Sequence, residues 1–239
     1  MRIRISGCVS IAAVAFTALR IDAQQTQSTA DMQAMAAHMQ MTPLREPNPG
    51  DSARAAKLVV ELRSSIRKYS DVSKAVDDGF RQFAPQMKTQ RIYHFTNYSL
   101  AFRNAFRFDP SKPTSLLYRK DEQGRFVLIG AMYTAPKRYS AEKLNARVPL
   151  SVAQWHKHVN WCLPKKGNGP AQWLETPNGR PVFGPLGVAT REECESAGGR
   201  FEKEVFGWMV HANVFLGDDP RVIWGDDHRM SGEEMVHRH

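Results

Sequence analysis

Cysteine is scarce in this 239-residue chain, with Cys8, Cys162 and Cys194 the only three. So few thiols exclude a disulfide-dense scaffold. Charge of one sign never accumulates either. The 33 Lys and Arg exceed the 24 Asp and Glu, yet no basic run is longer than two (Arg67-Lys68, Arg119-Lys120, Lys137-Arg138, Lys165-Lys166). Positive charge spread in this way reads as a solvated surface rather than a phosphate track, so nucleic acid is not an expected partner. The chain has no Gly-x-Ser-x-Gly turn, no P-loop and no dinucleotide fingerprint, and nothing in it supports a nucleophilic triad. No internal repeat is visible. With 42% hydrophobic and 24% charged residues it is too apolar for a disordered chain, and its length suits one large domain or two small ones.

What is there begins with an export signal. Met1-Arg2-Ile3-Arg4 is a short basic start, Ile5 to Leu19 is apolar, and Ile21-Asp22-Ala23 offers a small residue before a cleavage point. This predicts a signal peptide over 1–23, since the apolar stretch is short for a membrane span. Ile5-Ser6-Gly7-Cys8 resembles a lipoprotein box, but the apolar core follows it instead of preceding it. No later segment is apolar enough to cross a bilayer, so the mature chain is expected to be periplasmic or secreted without a membrane span. Cleavage leaves 30 basic against 23 acidic residues, a net charge of +7.

Loss of Cys8 leaves one pair. In an exported protein Cys162 and Cys194 are expected to form a disulfide. Between them runs an irregular stretch rich in Pro and Gly (Pro164, Gly167, Pro170, Pro177, Pro181, Gly184). Such a long loop is uncommon in a compact domain unless something ties it down. The competing reading makes Cys162 a metal thiolate beside the histidines.

Residues 24–50 are rich in Gln, Ala, Met and Pro and read as a flexible arm, and 51–239 as a single domain with a polar C-terminal tail. Val59, Leu62, Ile66 and Tyr69 recur at helical spacing after a cap at Asp51 or Ser52, and a second short helix is expected to stop at Gly79. Strands are expected over 91–98, 115–119, 125–134, 152–162 and 207–215, with Asp121-Glu122-Gln123-Gly124 as a hairpin. Short helices are expected over 141–146 and 191–197. The resulting fold class is α+β: two N-terminal helices packed on a mainly antiparallel sheet.

The chemistry is expected on the histidine-bearing strands. Alternation puts Gln154, His156, His158, Asn160 and Cys162 on one face of their strand, and two imidazoles at i and i+2 are a good start for a metal site. A third ligand from a neighbouring strand would complete an open three-histidine arrangement. His211, sharing a face with Met209 and Asn213, is one candidate. His94, close to Asn97, is the other. The repeated units His158-Val159-Asn160 and His211-Ala212-Asn213 place an amide where it can orient a ligand or contact a substrate. Gln154, Asn97 and Met209 complete the expected surroundings of the pocket. The arm contributes Met32, Met35, His38, Met39 and Met41, and soft thioethers favour Cu(I). The bland alternative is that Met, Ala and Gln are simply good helix formers. The tail, with Asp218, Asp219, Asp226, Asp227, His228, His237 and His239, is assigned no role.

His94-Phe95-Thr96-Asn97, Pro113-Thr114-Ser115-Leu116-Leu117-Tyr118, Leu128-Ile129-Gly130-Ala131-Met132-Tyr133-Thr134-Ala135-Pro136, Trp155-His156-Lys157-His158-Val159-Asn160-Trp161-Cys162 and Gly207-Trp208-Met209-Val210-His211 together span most of residues 50–225. In these motifs the chain resembles a group of uncharacterised exported bacterial proteins. The resemblance implies a bacterial, exported origin and carries over no activity. From the residues themselves, the expected function is an exported metal-binding protein, with copper the first candidate and zinc the alternative. Two further readings stay open at the same place. One is a metal-dependent hydrolase or oxidase acting on a small-molecule substrate. The other is a metal-free ligand-binding or structural domain.

Overall fold

The computed structural model describes residues 36–86, 90–165, 173 and 181–225. The signal segment 1–23, most of the arm and the tail beyond Gly225 lie outside these residues. In chain order the elements are strand β1 (Met39–Met41), helix α1 (Asp51–Ile66) with a 3-10 turn over Arg67–Ser70, α2 (Val72–Asp77), β2 (Arg81–Gln82) and β3 (Tyr93–Thr96). Next come α3 (Tyr98–Phe106), β4 (Ser115–Lys120), β5 (Phe126–Ala135), α4 (Ala141–Arg147) and β6 (His156–Leu163). The chain continues with α5 (Arg191–Ser196), β7 (Arg200–Glu204), β8 (Trp208–Ala212) and α6 (Pro220–Ile223). The fold is α+β with one antiparallel eight-stranded sheet, ordered β1-β6-β8-β5-β4-β3-β2, while β7 pairs with β6.

The helix content departs from the two N-terminal helices expected. Those two are present, and the short helices expected over 141–146 and 191–197 are found as α4 and α5, but α3 and α6 add two more among the described residues, and α3 starts within the strand expected over 91–98. Asn97 starts α3 by accepting a hydrogen bond from the Leu100 amide on its side-chain oxygen. Asn97 therefore serves as a helix cap. The first helix begins at Gly50, which takes a φ of 89°, with Asp51 in its first turn rather than capping it. Gly79 does stop α2, at a φ of 88°, and Asp121 folds the β4–β5 hairpin by accepting from the Gln123 and Arg125 amides.

The sheet has two differently used faces. On one, Tyr93, Phe95, Leu116, Tyr118, Ala131, Tyr133, Val210 and Ala212 pack with Ala55, Leu58, Val59, Leu62 and Ile66 of α1 to form the main core. On the other, Ile92, Leu117, Ile129, Met132 and Met209 make a smaller apolar floor, against which Phe206 packs. Ile129 belongs to that floor because of a bulge. Leu117 pairs with Gly130 but Tyr118 pairs with Leu128, so Ile129 is the extra residue and the face alternation resets there. A side chain on Gly130 would collide with the Ala212 carbonyl, since the chain leaving β8 crosses hard against this bend.

Cys162 and Cys194, 32 positions apart in sequence, form a disulfide with Cα atoms 5.4 Å apart. It ties β6 to α5, and Gly199 leaves room for it, because a Cβ there would run into both sulfurs. This sets aside Cys162 as a metal thiolate. Among the described residues, no helix is long and apolar enough to cross a membrane.

Candidate functional site

The arm does not end free. Met39–Met41 adds an edge strand to β6, with Met39 opposite His158, Gln40 opposite Lys157 and Met41 opposite His156. Directly opposed residues in an antiparallel pair share a face, so both thioether side chains stand on the histidine face. His38, only 1% exposed, is held differently. Its Nε2 lies 2.8 Å from the Gly187 carbonyl oxygen and its Nδ1 lies 3.3 Å from that of Val159. The arm histidine thus fastens the edge strand to backbone and stays out of the histidine group. Met32 and Met35 lie outside the described residues.

Four imidazoles follow one another across the face with the apolar floor. The His94 and His211 ring centres are 5.4 Å apart, His211 and His156 5.2 Å, and His156 and His158 5.6 Å. His94 and His211 meet through their nitrogens, Nε2 to Nε2 at 3.4 Å. They sit on β3 and β8, three inter-strand steps apart, or about 14 Å in a flat sheet. Both rings must lean across the face for their tips to meet. His156 and His211 are 2% and 4% exposed, so desolvated imidazole nitrogens line the inner part of the file. The thioethers alternate with it: Met41 faces His156, His156 faces Met209 on its other side, and His211 faces Met132.

Comparison with family models, with curated proteins and with solved structures finds no match. The site is therefore read from its own geometry. Among the described residues, no group of three or more His, Cys, Asp and Glu side chains converges closely enough to hold a metal ion. The donors that converge here are two imidazoles, with a third imidazole and several thioethers beside them.

Aromatic rings close the far side. Trp161 stands 5.0 Å from His158 and 5.7 Å from Phe206, which in turn contacts Phe83 at 5.8 Å. Simple alternation puts Trp161 on the face opposite His158. Asn160 overturns that expectation by taking a left-handed φ of 56°, which resets the strand. Asn160 itself points its amide to the Ala37 carbonyl at 3.1 Å. Gln154 precedes the strand and donates to the Thr42 carbonyl at 2.7 Å, and Asn213 donates towards Gly225 at 3.4 Å. Of the amides expected around the site, these three serve the backbone. Asn in a left-handed conformation was the available signal, because it tolerates positive φ better than most residues.

Phe206 owes its place to an interruption. Val159 pairs with Glu204, and the Val205 amide donates to the His158 carbonyl. Continuing that register would bring Gly207 opposite His156, but His156 faces Met209. Two residues are looped out between β7 and β8, in the segment that carries Phe206 over the floor. Behind β6, Lys157 is buried and bonded at 2.7 Å to Glu204, whose carboxyl is held below the usual range by that hydrogen bond. Its ammonium also stands over the Trp208 ring.

Proposed function

We propose that this is an exported metal-binding protein that takes copper on the histidine face. The observation that carries the reading is the 3.4 Å approach of His94 Nε2 to His211 Nε2. Two nitrogens bound tetrahedrally to one ion at about 2.0–2.1 Å stand about 3.3–3.4 Å apart. The spacing that lets one proton bridge the two rings is thus also the spacing of two ligands on a metal. His156, next in the file, is the third ligand after a side-chain rotation. His158 extends the face towards the edge strand.

Copper is favoured over zinc by the company the imidazoles keep. Met41, Met209 and Met132 stand in register with them, and thioether sulfur is a soft ligand suited to Cu(I). Export to the periplasm or beyond is part of the proposal. It is supported by the basic and apolar start of the chain and by a disulfide of the kind that persists in oxidising compartments. The resemblance to exported bacterial proteins points the same way.

Elemental analysis of protein secreted through its own leader, under copper- and zinc-replete growth, tests this directly. One copper per chain is expected, falling to a small fraction in His94→Ala and His211→Ala variants that keep their fold. A folded wild type without metal refutes the proposal and leaves the file as a hydrogen-bonded structural network.

A further inference from the structure

Helix α3 carries three aromatic side chains that the fold does not use. Tyr98, Phe102 and Phe106 are 66%, 69% and 70% exposed, and their i, i+4, i+8 spacing sets them in one row along the helix. Phe102 and Phe106 pack edge to face at 5.2 Å between ring centres. At this exposure, and at about 200 Å² per aromatic side chain, the row presents about 400 Å² of apolar surface. That is already the scale of a functional patch on a small protein.

The exposure belongs to a helix that is firmly held. Asn97 caps its start, and Asn104, 3% exposed, donates to the Lys112 carbonyl at 2.8 Å. Leu100 packs on the main core. At the other end the buried Arg147 guanidinium reaches the Ala105 carbonyl while donating to Thr134, and it stacks over Tyr139 and Phe108. The buried side of α3 is therefore satisfied, and the aromatic row faces outward from a fixed platform.

Charge decides what fits it. Arg103 and Arg107, both exposed, each follow one of the phenylalanines, and no Asp or Glu occurs from 97 to 108. Symmetric contact between two copies would bring these arginines together without a carboxylate from this segment to offset them. An anionic surface satisfies the arginines while the rings enter an apolar layer. We propose that α3 docks the protein on an anionic lipid bilayer, its aromatic row lying at the headgroup–acyl boundary and its arginines on the phosphates. This holds whether or not the histidine face takes metal.

Flotation of the signal-cleaved protein with phosphatidylglycerol-containing vesicles tests the proposal, with phosphatidylcholine vesicles as the neutral comparison. The protein should float with the anionic vesicles at low salt and be released at high salt. Phe102→Ser/Phe106→Ser should weaken binding by about tenfold or more, and each of Arg103→Gln and Arg107→Gln by about fivefold. Val60→Ser, at an exposed position on α1, should leave binding unchanged. All these sites are exposed, so circular dichroism should show intact folds. Failure of the wild type to float, equal flotation of the double phenylalanine variant, or equal binding to neutral vesicles each overturns the proposal. So does a dimer in solution that the same double variant abolishes, which would give the face to a second copy.

Discussion

Met41 stands directly opposite His156, so a residue from the start of the described chain shares a sheet face with the central imidazole of the histidine file. The arm and the histidine strand are parts of one surface. The reading of 24–50 as a coreless arm missed this because three residues, Met39–Met41, carry too little alternation to announce a strand.

The thioethers should select the oxidation state. Met41→Leu conserves volume and apolar character, so the fold should persist while Cu(I) affinity falls about tenfold, or about 1.4 kcal/mol. Zinc binding should change little. Competition against a chromophoric Cu(I) chelator measures the first and a zinc indicator the second. Equal loss for both metals would show that the strand is merely destabilised.

Metal binding should depend on pH in one direction. Neutral imidazole is the ligand and free histidine protonates near pH 6.5, so affinity should be full above about pH 7.5 and decline as pH drops through 6.5. Isothermal titration across this range is the measurement. Affinity that is flat down to about pH 5 would argue against histidine ligands.

Removing the disulfide should lower stability without erasing the histidine file. Closing a loop of 32 positions is worth about 3–4 kcal/mol by the chain-entropy model. Cys162→Ala/Cys194→Ala should accordingly melt roughly 10 °C lower. Differential scanning calorimetry of wild type under oxidising and reducing conditions should show the same gap.

The Lys157–Glu204 pair gives a second pH signature. Glu204 is held ionised by Lys157 below its usual range. Its contribution is therefore complete above the unfolded carboxyl value, about 4.3, and is lost as pH falls through the lowered folded value. Glu204→Gln should leave the Lys157 ammonium, 7% exposed, without its counter-charge. An expected cost of about 1–2 kcal/mol allows for the partial exposure of Glu204. Urea denaturation at neutral and acidic pH should show a difference between wild type and variant that shrinks as Glu204 protonates.

Gly130→Ala should be costly for its size. The added methyl meets backbone, not a flexible side chain that could move aside, so about 1–3 kcal/mol of destabilisation is expected. A melting temperature equal to wild type would mean that the chain after β8 can shift away.

Much of the sheet was legible because its strands are ordinary. Ser115–Lys120 and Phe126–Ala135 are short apolar runs with aromatic residues, the second also with Val, Ile and Thr, and they flank a turn with Asp121 and Gly124. His156 and His158 could be placed on one face for the same reason. Legibility failed where a single residue breaks the period. Asn160 moves Trp161 onto the histidine side, Ile129 is an extra residue in a bulge, and the loop-out around Phe206 shifts β8 against β6. Each is a local backbone event with tertiary consequences. Helix α3 carries a helical period, with Tyr98, Phe102 and Phe106 at i, i+4 and i+8, that the expected strand over 91–98 overlooked. The meeting of His94 with His211 was legible only as a possibility, since nothing local says that two strands three places apart lean their side chains together.

The pairing of β1 with β6 also sets an order of events. Residues 39–41 leave the ribosome before the strand they pair with, whereas the β4–β5 hairpin closes over a few positions. Short-range pairings form first, and contacts spanning most of a chain are delayed by loop closure. Until Met39–Met41 arrives, the backbone edge of β6 at Trp155, Lys157 and Val159 is open to any other strand. The segment that seals this edge precedes its partner strand by more than a hundred positions, and its docking is what closes the histidine strand to pairing with a neighbour.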